Sequence, residues 1–107
     1  MAGGKQLADK PAARVSSGIT QGLVLKKVPP LYPEQARRAR IQGSVHMSVV
    51  ISKTGDVVDV EVIDGPIELV VSAVNAVRQW KYRPYVLQGE PVAVDTVITV
   101  NYTLSGT

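Results

Sequence analysis

The run from Val45 to Val62 constrains this chain more than any other feature. Val45, Met47, Val49 and Ile51 alternate with His46, Ser48, Val50 and Ser52. A period of two gathers one set of side chains on one face only if the backbone is extended. Lys53-Thr54-Gly55-Asp56 then reads as a turn, with Gly55 able to take the positive φ that a tight hairpin needs. In the return strand the pattern predicts Val58, Val60 and Val62 inward and Asp59 and Glu61 outward. The two runs together predict a β-hairpin with one wet face.

Asp64-Gly65-Pro66 breaks the second strand and opens a helix. Leu69, Ala73, Ala76, Val77 and Trp80 recur as one apolar stripe, with Asn75, Arg78, Gln79 and Lys81 on the opposite side. Val70, Val71 and Val74 widen the stripe and predict a well-covered helix, which Pro84 is expected to stop. Val86 to Pro91 reads as a loop around Gly89. A last strand is predicted from Val92 to Leu104, with its even positions toward the core and Asp95, Thr99, Asn101 and Thr103 toward water.

Ahead of the hairpin, Pro29, Pro30 and Pro33 enforce an extended backbone. Pro33 and Glu34 suit the first turn of a short helix that carries Ala36 to Arg40 and ends near Gly43. Ile19 to Val28 reads as either a short extra strand or an ordered arm. The expected division is a flexible or added tail over 1–17, an extended arm over 18–31 and the folded domain over 32–107. The element order α-β-β-α-β predicts an α+β fold. Its three-stranded antiparallel sheet, with room for an extra N-terminal strand, packs one face against the long helix.

Composition removes several functions. A net charge of +3 is too small to argue for nucleic acid, and Arg37, Arg38 and Arg40 read as a solvated helix face. With no cysteine there are no disulfides, thiolate sites or cysteine nucleophiles, and one histidine makes a histidine metal site implausible. No apolar run approaches the roughly 18 residues that would span a bilayer, and no signal peptide is visible. His46 has no acidic partner that sequence can certify. Ser44 and Ser48 sit in nothing like a nucleophile elbow, and neither a glycine-rich phosphate loop nor a buried carboxylate pair occurs. The expectation is a chain with no catalytic residues, no cofactor and no bound metal.

Five stretches carry a family resemblance: YPEQARRARIQGSV (Tyr32 to Val45), KTGDVVDVEVIDG (Lys53 to Gly65), AVRQWKYRPY (Ala76 to Tyr85), GEPV (Gly89 to Val92) and VITVNYTL (Val97 to Leu104). Together they resemble the C-terminal domain of the TonB energy-transducer family, over about three-quarters of the chain. The resemblance implies a periplasmic domain tethered to the inner membrane by a helix and a proline-rich linker. It implies an outer-membrane transporter as partner, captured through an extended segment that adds as a strand to an open sheet edge. Inner-membrane proton-driven motor proteins would act through regions absent here. The pattern departs from the family at Pro29, where its best-studied members carry a polar residue that touches the transporter, and at Leu31 inside the motif. Contacts in this segment are expected to differ.

On that basis the partner surface is expected at Pro30, Leu31, Tyr32 and Pro33 and along Val94, Asp95, Thr96, Val97, Ile98, Thr99, Val100 and Asn101. Main-chain hydrogen bonds would supply affinity, and side chains such as Asp95, Val97, Thr99 and Asn101 selectivity. The bland alternative is an edge covered by Ile19 to Val28. Tyr32 is read chiefly as an anchor on the core, and Trp80 as core. Two further readings are a cell-envelope adaptor or sensor of the same fold, and a strand-swapped homodimer.

Overall fold

A computed structural model describes residues 11–104. In chain order the elements are β1 (Ala13–Arg14), α1 (Ser17–Gln21), β2 (Val24–Lys26), α2 (Glu34–Arg38), β3 (Gly43–Ile51), β4 (Val57–Asp64), α3 (Ile67–Val77), β5 (Lys81–Tyr82), β6 (Tyr85–Leu87), β7 (Glu90–Val92) and β8 (Val94–Tyr102). The principal sheet has the order β1-β8-β3-β4. Its three long strands are antiparallel, with Val45 opposite Val100, Met47 opposite Ile98 and Val49 opposite both Thr96 and Val60.

The alternation in β3 works as its sequence requires. Val45, Met47, Val49 and Ile51 are buried, and the residues between them are half-exposed. β8 repeats the pattern, burying Val94, Thr96, Ile98, Val100 and Tyr102 on the same face. Against that face lies α3, which buries Leu69, Ala73, Ala76 and Val77. Among the described residues no helix lies on the opposite sheet face, which carries His46, Ser48, Asp59, Glu61, Thr99 and Asn101. One layer of helix on one layer of sheet gives a single apolar core, because each element has only one apolar side to hide.

In β4 the inward set differs from the expected one. Val57 is buried, whereas Val58 and Val62 are 40% and 38% exposed. Two β-bulges explain this. Val50 pairs with Asp59 but Ile51 with Val57, so Val58 is an extra residue; likewise His46 pairs with Asp64 and Met47 with Val62, leaving Ile63 extra. Val60 and Val62 keep the inward parity, but β4 is the outermost strand and has a neighbour on one side only.

The long helix is also shorter than Pro84 would permit. It ends at Val77, with Arg78 as its C-cap. Trp80 stays on the stripe through a turn in which its N–H donates to the Val77 carbonyl. The chain then becomes β5, which pairs with β2, while the Tyr82 N–H donates to the Gly55 carbonyl at 2.9 Å. Gly55 has φ +90, and a Cβ there would fall 1.9 Å from the Tyr82 carbonyl oxygen. The hairpin turn thus needs glycine for both its conformation and its contact. The Lys81 ammonium also bonds the Asp56 carboxylate, holding that carboxyl below its ordinary pKa.

Three further differences concern local pairing. Val86 to Pro91, read as a loop, is part of a hairpin in which β6 pairs with β7. Gln88 and Gly89 supply two successive left-handed residues at φ 52 and 84. The Ile19 to Val28 region does contain a strand, but it pairs with β5 and not with the principal sheet. Of the expected tail, residues 1–10 lie outside the described ones. Ala13–Arg14 forms a strand and Val15 is 5% exposed. The helix is less covered than its valines suggested, with Val71 69% and Ile67 80% exposed.

Candidate functional site: the open edge of β8

Backbone direction in β8 follows from its neighbours. The Ala93 carbonyl accepts from Ala12 N–H at 2.8 Å and the Asp95 carbonyl from Val15 N–H at 2.9 Å, so odd-numbered residues aim their polar groups away from β3. Successive odd residues point the same way, and Val97, Thr99 and Asn101 therefore present three N–H and three C=O groups on that side. Among the described residues, β1 pairs with β8 only through Val94 and Asp95, and no backbone group bonds Val97, Thr99 or Asn101 from outside. Such an edge can accept another strand.

Beside this edge runs the proline-rich approach to the domain, held at several points. The Trp80 indole N–H donates to the Val28 carbonyl at 3.0 Å, and the Lys27 ammonium lies 5.4 Å from the Trp80 ring centroid. Ser72 donates to the Leu31 carbonyl. The Tyr32 hydroxyl donates to the Ile41 carbonyl, and its ring meets that of Tyr102 edge-on with centroids 5.4 Å apart. Tyr102 in turn donates to the Ser72 hydroxyl at 2.9 Å. Burial pushes the Tyr102 hydroxyl pKa up, against a smaller opposing effect of that hydrogen bond. With φ preset by the prolines, these ties leave the segment extended and anchored.

A cleft of about 490 Å³ lies between the two features, lined by Lys27, Val28, Pro29, Pro30, Trp80 and Thr99 to Asn101. Pro30 and the C-terminal half of β8 thus meet in one place. Leu31 and Pro33 instead line an adjoining groove of about 620 Å³, which shares Val28 to Pro30 with the cleft and is walled by Val71, Ser72 and Asn75 of α3 and by Gln79 beyond its end. Tyr32 is half-buried as an anchor. Within β8 the side chains of Val94, Thr96, Ile98 and Val100 point into the core, and those of Val97, Thr99 and Asn101 are exposed. Lys27, Val28 and Trp80 were not among the expected site residues, and Pro29 entered only as the position where the family's contact pattern departs. Only the Pro-Pro pair beside a lysine hints at them in sequence, because Trp80 reads as core from its spacing and is indeed 7% exposed.

His46 does gain an acidic neighbour, the Asp64 carboxylate across the β3–β4 bulge. Ser44 donates to Asn101 and Ser48 to Asp95, neither to His46, so no nucleophile–base pair forms among the described residues. Nor, among those residues, do three or more metal-binding side chains cluster. No helix of the described chain is long and apolar enough to cross a membrane.

The described residues form a small α+β domain whose principal sheet has an edge open beyond Asp95, with an anchored extended segment beside it. Residues 28–104 match the family described as Gram-negative bacterial TonB protein C-terminal, and the chain belongs to that family. It is 33% identical over 102 residues to protein TonB of Vibrio cholerae serotype O1, covering 94% of this chain and 38% of that protein. Against protein TonB of Xanthomonas campestris pv. campestris it is 34% identical over 79 residues, covering 72% of this chain and 35% of that protein. The chain therefore spans little more than a third of these relatives. Among solved structures, the Pseudomonas aeruginosa TonB C-terminal domain superposes with a TM-score of 0.67 at 23% identity, covering 78% of this chain and 87% of that one. The TonB2 protein of Vibrio anguillarum superposes with a TM-score of 0.59 at 30% identity, covering 78% and 82%.

Proposed function

We propose that this domain captures an extended segment of an outer-membrane transporter as an added strand on β8, within a periplasmic energy transducer anchored in the inner membrane. The observation that carries the reading is the set of outward main-chain groups at Val97, Thr99 and Asn101 beside the cleft walled by Lys27 to Pro30. An added strand alternates its side chains. One set would enter the cleft against Val28, Trp80 and Val100, and the other would lie beside Thr99 and Asn101 on the wet face. Apolar residues at alternate positions of the partner suit this arrangement. Coupling to the proton-motive force would run through an inner-membrane helix, a proline-rich linker and proton-driven motor proteins, and the domain itself performs no catalysis.

A titration with a short transporter-derived peptide, followed by amide chemical shifts, tests the reading. Perturbations at Val97, Thr99, Asn101, Lys27 and Val28 are expected; perturbations confined to β4 or the outer face of α3 would sink it. The same open edge supports a second reading, self-pairing of two copies across a twofold axis. Mass measured across a concentration series separates the two, since self-pairing doubles the mass without any peptide.

A further inference from the structure

We infer that Ala12–Val15 is a fixed stop on the β8 edge, so that the site accepts an extended segment of about five residues, in register with Val97 to Asn101. The inference rests on strand capture and specifies its length and register. Two outward carbonyls at the start of the edge, those of Ala93 and Asp95, are already taken by the N–H groups of Ala12 and Val15. Ala13 pairs in parallel with Val94 and Arg14 with Asp95. The backbone then leaves the edge at Ser16, whose carbonyl accepts from the N–H groups of Ile19 and Thr20 as α1 begins.

What makes the segment a stop, and not a strand waiting to be displaced, is how it is held. Val15 packs in the core at 5% exposure. The Arg14 guanidinium lies 3.1 Å from the Asp95 carboxylate. Immediately after it, Thr20 is 2% exposed and its hydroxyl meets that of Thr96, 3% exposed, at 3.3 Å. Withdrawing the segment would expose Val15 and strain this buried hydroxyl pair, a larger loss than the two main-chain bonds a longer partner could recover. The remaining edge, Val97 to Asn101, is about 13 Å long at the usual rise per residue. Its near end is a small polar recess of about 230 Å³ lined by Ser16, Ser17, Ser48, Asp95 and Val97 among others, where an incoming strand must end or turn away.

The test uses the full 107-residue chain with two blocked peptides of alternating valine and threonine, about five and about nine residues long, a length difference that spans the Ala93–Asp95 edge. With a stop in place both bind within about threefold of one another, and both slow amide exchange at Val97, Thr99 and Asn101 while Val15 stays protected. Two substitutions release the stop: Val15→Asp, by placing a carboxylate in the core, and the milder Val15→Pro, which removes the N–H that bonds Asp95 and exchanges the valine side chain for an apolar ring. In a folded variant the longer peptide alone should tighten, by about tenfold for the extra main-chain bonds. Tighter binding of the longer peptide to the unaltered chain, with loss of Val15 protection, overturns the stop and leaves strand capture standing. If neither peptide protects β8, strand capture fails and the inference fails with it.

Discussion

The indole N–H of Trp80 donates to the carbonyl of Val28 across 3.0 Å, joining the residue that closes the helix stripe to the arm that walls the β8 cleft. One side chain thereby serves both core and site. Its ring is 7% exposed, yet its edge forms part of the cleft.

Trp80→Phe keeps an aromatic ring and deletes the donor. We expect a loss of about 1 kcal/mol in denaturant unfolding, with some further loss from the smaller ring, and a several-fold weaker peptide affinity. If stability falls while affinity is unchanged, the Val28 to Pro30 wall takes no part in recognition.

Proline offers a way to separate edge from ladder. At Thr99 the N–H points outward, so Thr99→Pro should leave the pairing with β3 in place and reduce peptide affinity by about tenfold, the equivalent of one or two lost main-chain bonds. At Ile98 the N–H faces β3, and Ile98→Pro should cost about 3 kcal/mol or more. Equal destabilisation by the two substitutions, read in urea, would show that the outward direction has been misassigned.

Gly55→Ala tests the hairpin turn. With φ +90 and a backbone oxygen 1.9 Å from the new Cβ, the turn and the Tyr82 segment cannot both hold their positions. A loss of about 2 kcal/mol or more is expected, larger than for Gly89→Ala, where the space around the added methyl is open. A midpoint shift in urea no larger than that of Gly89→Ala would contradict the close approach.

Burial pushes the Tyr82 hydroxyl from 10.0 up to about 12. The folded state therefore keeps this proton at a pH where the unfolded chain has lost it. The contribution is complete below about pH 10 and disappears as pH rises toward 12. Urea midpoints should fall over that window, and Tyr82→Phe should flatten the fall. Tyr102, shifted in the same direction, will leave a residue of it.

How far the fold could be read from sequence is clearest in β3. The alternation at Val45, Met47, Val49 and Ile51 needs only strand geometry and a water-facing side to be correct. β4 was readable as a strand but not in its inward set, because the bulges at Val58 and Ile63 are settled by how two backbones pair. Pro84 gave an upper bound for α3, while β2, by drawing Lys81–Tyr82 into a ladder, set the actual end at Val77. The odd positions of β8 were legible as a surface. That Lys27 to Pro30 would stand beside them was not, since some 70 residues of chain separate the two in sequence.

The sequence by itself determined the strand–turn–strand, the helix stripe from Leu69 to Trp80, the burial parity of β8 and the family. These follow from local periodicity and from short motifs. Tertiary structure decided which edge of β8 is open and for how long. Ala13–Arg14 has no alternation to announce a strand and takes its conformation from the hydrogen bonds that the β8 edge offers it. Val24–Lys26 could have covered the same edge but pairs with Lys81–Tyr82 instead. Edge occupancy is a competition between distant segments for the same backbone groups, and its outcome depends on which segment can also bury its side chains. Val15 can, and beyond Asp95 no other described segment pairs with the edge.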